Sequence, residues 1–154
     1  MNNGEILAFL GTATQQVFWL ATFGVAAIGL AFGDRSVRIG VGLVLGNFVF
    51  SSLTEQVVWH TIRAIVTGLD GLLFGLLVIL ACRTRRWWVH SAAAFAFLCF
   101  FAHFIALMDQ TVWRRAYVEL GWYFSAAIVL ALLVGVAETP FARRYERWAA
   151  SQAR

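Results

Sequence analysis

The stretch "IGVGLVLGNFVFSSLTEQVVWHTIRAIVTGLDGLLFGLLVILA", residues 39–81, decides the fold. It runs for 43 positions with few polar residues, and as one helix it would be about 65 Å long at about 1.5 Å per residue. That is about twice the hydrocarbon thickness of a bilayer, so the run must fold back on itself. The polar break "WHTIR" at 59–63 divides it into two halves, each long enough to cross. A later break at "TGLDG", 67–71, with Asp70 as a helix N-cap, is the alternative.

Outward from this hairpin the chain keeps the same character. Residues 6–32 form an apolar run that ends at "GDRSVR", residues 87–108 a fourth that ends at "DQTVWRR", and residues 116–137 a fifth. "CRTRR" closes the second arm of the hairpin. The first run is too long for the apolar region of a signal peptide and has no basic residues before it, so it reads as a retained span. The expectation is an all-α integral membrane bundle with five transmembrane helices and short loops, four being the alternative count. Residues 1–137 would make the bundle and 138–154 a basic amphipathic cytoplasmic tail.

Composition supports this. Apolar residues make up 61% of the 154 and charged ones only 13%, too few to coat a water-soluble domain of this size. The net charge of +4 comes from twelve Arg and no Lys, which excludes a retinal Schiff base, a P-loop lysine and a lysine nucleophile. The Arg residues sit at the ends of apolar runs, which points to lipid headgroups and topology, not to nucleic acid. With five spans, nine Arg (35, 38, 83, 85, 86, 143, 144, 147 and 154) fall on one side and three (63, 114 and 115) on the other. The positive-inside rule then puts the N-terminus outside and the C-terminus in the cytoplasm, with a bacterial inner membrane as the expected location. A four-span chain would weaken that bias.

Aromatic residues fall at the expected borders: Trp59, Trp113, Tyr117, Trp122 and Tyr123 toward the outer interface, Trp87 and Trp88 at the inner one. In "TPFARRYERWAA", 139–150, Thr139 reads as an N-cap with Pro140 at the first helical position. Phe141, Tyr145 and Trp148 then share a face beside Arg143, Arg144 and Arg147, the pattern of a short helix lying on the cytoplasmic membrane surface. Small residues at spacing four (Gly29/Gly33, Gly42/Gly46, Gly71/Gly75, Ala127/Ala131/Gly135) predict close helix approach, within the chain or to a partner. The fourth span, rich in Phe, suits lipid, a pigment-like ligand or another helix.

Polar groups inside the spans mark the candidate site. Asn47, Ser51 and Glu55 share a stripe on the second span, and Thr12, Gln15, Gln16 and Trp19 another on the first. At helical rise, Gln16 is about 15 Å, Asp70 about 13 Å and His103 about 9 Å from the outer ends of their spans, with Glu55 about one turn in. Gln15, Gln16, Glu55, Asp70 and His103 thus predict an outward-facing polar pocket, since intramembrane ionisable groups face the bundle and serve function.

Metal and catalytic readings fare worse. No HExxH motif or paired i, i+4 ligand set is read, so no metal site is expected. Cys82 and Cys99 read as two buried thiols acting as small hydrophobes. His60 and His103 form the one plausible pair for haem between facing helices, and GxSxG and Cys–His catalytic signatures are absent.

Residues 70–137 carry a resemblance as well. Asp70 opens an apolar run, "RTRRWW" closes it, "FFAHF" comes late in the next span, and "LGWYFSAAIVLALLVG" fills the last. This pattern resembles a group of small uncharacterised bacterial inner-membrane proteins, in which a Pro usually stands where this chain has Trp88. The resemblance implies an inner-membrane setting and nothing catalytic.

Three functional expectations follow. The first is a non-catalytic accessory or interaction subunit of a larger membrane complex, whose partners are other membrane proteins. The second is a small oligomeric transporter or channel for protons, cations or a small polar solute, built on the five pocket residues. The third is a haem-, pigment- or quinone-binding membrane protein using His60 and His103.

Overall fold

A computed structural model describes residues 3–54, 64–108 and 114–152. Among the described residues there are five helices and no strands: α1 (Asn3–Phe32), α2 (Arg35–Thr54), α3 (Ala64–Arg83), α4 (Trp87–Met108) and α5 (Arg114–Gln152). All five contain segments long and apolar enough to cross a membrane. The long run at 39–81 supplies α2 and α3, with the "WHTIR" break in the undescribed interval 55–63. The alternative break at "TGLDG" does not occur. α3 runs through it, and Asp70 lies on the second turn of that helix instead of capping it.

The helices close in a ring. α4 packs between α3 and α5, α2 touches α3 and α5, and α1 seals against α2 and α5. The core is made of small and branched side chains, among them Val37, Val41, Leu77, Val89, Ala92, Ala96, Ile128 and Leu132. Large apolar side chains such as Leu20, Leu53, Leu72, Phe101 and Leu130 are exposed, one or more on every helix. Both the inner and the outer faces are therefore apolar, as a bilayer requires.

The core is organised around Trp88, which is only 1% exposed. A side-chain carbon at Gly40 of α2 would come within 2.5 Å of its ring, and one at Gly135 of α5 within 2.8 Å. The indole thus fills the gap that these two glycines leave, and it cannot serve as the inner-interface anchor expected from its place in "RRWW". Trp87, 83% exposed, retains an outward position. Gly71 likewise makes room for Phe100, and Gly29 for Val41. At Gly42, Gly46 and Gly75 an added carbon would meet nothing within 4 Å.

The tail also departs from expectation. α5 has 39 residues and contains Pro140 in its interior. Thr139 does not cap a new helix: its hydroxyl donates back to the Gly135 carbonyl at 3.0 Å, the bond of a mid-helix threonine. Pro140 removes one helical hydrogen bond, the donor that would reach Val136, and the helix carries on past it. At about 58 Å, α5 is longer than the full thickness of a bilayer. Phe141, Tyr145 and Trp148 remain exposed beyond Pro140.

At the Arg-rich end, Asp34 joins three segments. Its Oδ1 accepts from the Ser36 hydroxyl at 2.6 Å and from the Val37 backbone N–H at 3.0 Å, which caps α2. Its Oδ2 accepts from Arg86 Nη2 at 2.8 Å, and Arg86 Nη1 lies 3.8 Å from Glu138 of α5. Burial pushes the Asp34 carboxyl up, but the Ser36 and Val37 bonds and the Arg86 guanidinium outweigh it and hold the carboxyl below its ordinary value of 3.8. A depressed carboxylate stabilises the fold above its unfolded pKa and loses that contribution as pH falls through the folded value. Asp34→Asn retains the capping oxygen but loses the charge. It should lower stability at pH 7 by about 1 kcal/mol and flatten the loss of stability below pH 3.8. Unfolding of the detergent-solubilised protein at pH 7 and at pH 3 measures both effects.

Candidate functional site

Four helices contribute to one polar junction in the half of the bundle away from Arg86. α3 offers Asp70 from its second turn, and that carboxylate is 8% exposed. From α2, Asn47 Nδ2 donates to Asp70 Oδ1 at 3.0 Å. From α4, two groups reach Asp70 Oδ2: His103 Nε2 at 3.0 Å and Cys99 Sγ at 3.4 Å. From α5, the Tyr117 hydroxyl is hydrogen-bonded to His103 Nδ1. If Tyr117 donates, Nε2 carries the imidazole proton and donates it to Asp70, so every bond in the chain has a donor and an acceptor. His103 is 6% exposed.

The junction forms part of the wall of a cavity of about 180 Å³. An engineered cavity of about 150 Å³ is enough to hold benzene, so this one has room for a hydrated ion or a single-ring molecule. Its rim is aromatic. Phe18 and Trp19 of α1 pack on Phe48 of α2 with ring centroids 5.6 and 4.6 Å apart, and Phe18 packs on Trp122 of α5 at 4.9 Å. Ser51, Ser52 and Ser125 add hydroxyls to the wall, and the Ser51 hydroxyl has no protein partner among the described residues.

The sequence-derived pocket residues divide three ways. Asp70 and His103 meet directly. Gln15 lines the cavity, whereas its neighbour Gln16 is exposed and takes no part in the lining. Glu55 and His60 lie outside the described residues. Both ring nitrogens of His103 are hydrogen-bonded, so axial ligation of haem there would require one of those bonds to break. Asn47, from the polar stripe of α2, bonds to Asp70 of α3.

Two participants, Tyr117 and Cys99, were not among the residues expected at the site. Tyr117, expected at the outer interface, is hydrogen-bonded to His103. Of the two thiols expected to be buried, Cys82 is exposed and Cys99 is buried. Cys99 and His103 are also a paired i, i+4 set on α4, the spacing that puts two side chains on one helix face. That signal was present in the sequence. The structure adds Asp70 to it, so that one donor atom from each of the three residues lies within 4.8 Å of the others.

No family model, no curated protein and no solved structure matches this chain. The functional reading therefore rests on the site itself.

Proposed function

We propose that this chain is a small multi-pass membrane protein that binds a cation or small polar solute at Asp70 and His103 and passes it across the membrane, working as an oligomer. The observation that carries this reading is the buried Asp70 carboxylate facing a cavity and held by donors from α2 and α4. Burying a carboxylate in a lipid-embedded bundle is costly, and an apolar residue would pack α3 against α4 without that cost. The donors around it lower the penalty and leave a focused negative site beside a space of ion size. The Arg bias supports a cytoplasmic C-terminus; in that orientation the cavity would open in the outer half of a bacterial inner membrane, with the end of α5 in the cytoplasm. Oligomerisation is part of the proposal because five spans are few for a complete transport path.

Trp19 and Trp122 line the cavity and report on its occupancy. Titrating the detergent-solubilised protein with monovalent and divalent cations and with small polar solutes should give a saturable change in tryptophan fluorescence for at least one of them, absent in Asp70→Asn. A response that is identical in the two proteins would sink the assignment of the site to Asp70.

The accessory-subunit reading has a separate observation behind it. An added carbon at Gly42, Gly46 or Gly75 would meet nothing within 4 Å among the described residues, unlike one at Gly29, Gly40, Gly71 or Gly135. Helices of another membrane protein or of a second copy would fit such faces. Mass spectrometry of what co-purifies in mild detergent tests this: a monodisperse monomer from native membranes contradicts it.

A further inference from the structure

We infer that Asp70, Cys99 and His103 form a binding site for one borderline transition-metal dication, of which Zn²⁺ is the type, with a fourth coordination position open to the cavity. The inference rests on the reading of this cavity as a cation site and names its ligand class. Geometry is the first argument. Metal–oxygen and metal–nitrogen bonds of about 2.0 Å and a metal–sulfur bond of about 2.3 Å, set tetrahedrally, separate the donor atoms by about 3.3 to 3.6 Å. The structure has His103 Nε2 at 3.0 Å and Cys99 Sγ at 3.4 Å from Asp70 Oδ2, close to those separations, and one donor atom from each of the three residues lies within 4.8 Å of the others, so adjustment of these three side chains admits the ion.

Charge balance is the second argument, and it selects the valence. On binding, the Cys99 thiol proton leaves to solvent through the cavity. The imidazole proton leaves Nε2 and a proton occupies Nδ1, where the Tyr117 oxygen accepts its hydrogen bond. A dication with one carboxylate, one thiolate and one neutral imidazole sums to zero. A monovalent ion is balanced by the Asp70 carboxylate alone and leaves the Cys99 thiol protonated, so thiolate ligation goes with the dication, and a trivalent ion would leave a net positive charge with a large desolvation cost.

Ligand chemistry and support complete the case. A thiolate and an imidazole favour borderline and soft metals, whereas Mg²⁺ and Ca²⁺ ask for oxygen donors throughout. Metal-binding histidines and carboxylates are normally steadied by outer hydrogen bonds. Tyr117 at His103 Nδ1 and Asn47 at Asp70 Oδ1 stand in those two positions. Neither contact is needed by a pair of side chains that only pack helices together.

Co²⁺ is the probe, added to the metal-stripped full-length protein in detergent. The expected result is one Co²⁺ per chain, a thiolate-to-cobalt charge-transfer band, the strong visible absorption of a tetrahedral site, and displacement by Zn²⁺. Cys99→Ala and Cys99→Ser should lose the charge-transfer band while keeping their circular dichroism, and Cys82→Ala should keep it. Asn47→Ala should weaken Co²⁺ binding by about tenfold. No thiolate band with Co²⁺ in excess, or a band that survives in folded Cys99→Ala, overturns the inference. A fluorescence response to other cations without any thiolate band overturns the metal assignment and leaves the broader cation-site reading in place. A thiolate band in a protein that passes no ion supports the metal assignment and removes transport.

Discussion

Replacing Asp70 by alanine should cost the bundle about 3 to 5 kcal/mol, since it leaves three buried donors without an acceptor at about 1 to 3 kcal/mol each. The loss is large because one carboxylate accepts from three side chains on two helices. Without it Asn47 Nδ2, the Cys99 thiol and His103 Nε2 all lose their acceptor, and Tyr117 is left bonded to an imidazole that is no longer held from its far side. Unsatisfied donors are expensive where no bulk water replaces the lost partner. The sharper comparison is the double replacement Asp70→Leu with His103→Phe. Removing both partners in favour of apolar groups often restores or raises stability, so this protein should unfold within about 1 kcal/mol of the wild type or above it. It should also lose any ligand response. Titration with denaturing detergent, followed by circular dichroism, gives both values. An Asp70→Ala protein as stable as the wild type would show that the junction does not hold α2, α3 and α4 together.

The second large effect lies at the other packing centre. Trp88→Ala should destabilise by about 3 to 5 kcal/mol, as expected for emptying a buried aromatic site. In lipid most of that loss is van der Waals contact with α2 and α5, since the hydrophobic drive between helices is weak. Gly135→Ala attacks the same contact from the opposite side, because the added carbon would sit 2.8 Å from the indole. It should cost about 1 to 3 kcal/mol by overpacking. In the double variant the two changes relieve each other, so the alanine at 135 should cost little once Trp88 is gone. Additive losses in the same unfolding assay would contradict the seating of Trp88 between Gly40 and Gly135.

These two centres also show where sequence reasoning works in such a chain. Helix number and extent were readable because lipid demands about 20 apolar residues per crossing. The 43 positions at 39–81 are too long for one span, which located the hairpin. Apart from the polar stripes on the first two spans, the inner face of each helix was not readable, because the outer face is equally apolar. Spacing-four small residues do not separate inner from outer faces by themselves: an added carbon at Gly29, Gly71 or Gly135 would meet a packed neighbour, whereas one at Gly42 or Gly46 would meet nothing within 4 Å among the described residues, and Gly40, outside that pattern, packs on Trp88. Trp88 itself followed the rule for interfacial aromatics until the structure placed it in the core. Thr139 and Pro140 are good helix-starting residues, and their contradictory mid-helix use depends on Thr139 bonding back to Gly135.

At the site, Asp70 and His103 stood out because charge inside a span is rare. Asn47 was visible as part of a stripe, but not its partner, since the stripe runs along α2 and the partner is on α3. The Cys99–His103 spacing is legible as an i, i+4 pair, but Asp70, which completes the set, comes from another helix and no local pattern links it to them. The Asp34–Arg86 pair at 2.8 Å joins residues 52 apart, and no local pattern marks it.

Ion flux through proteoliposomes tests the central proposal most directly. Purified protein is reconstituted at known density, and uptake of the cation that gives the fluorescence response is followed with a trapped indicator. The account predicts uptake above that of empty vesicles, reduced about tenfold or more in Asp70→Asn, the equivalent of about 1.4 kcal/mol, in vesicles holding equal amounts of folded protein. Uptake no greater than in empty vesicles, or uptake that Asp70→Asn leaves unchanged, would contradict it.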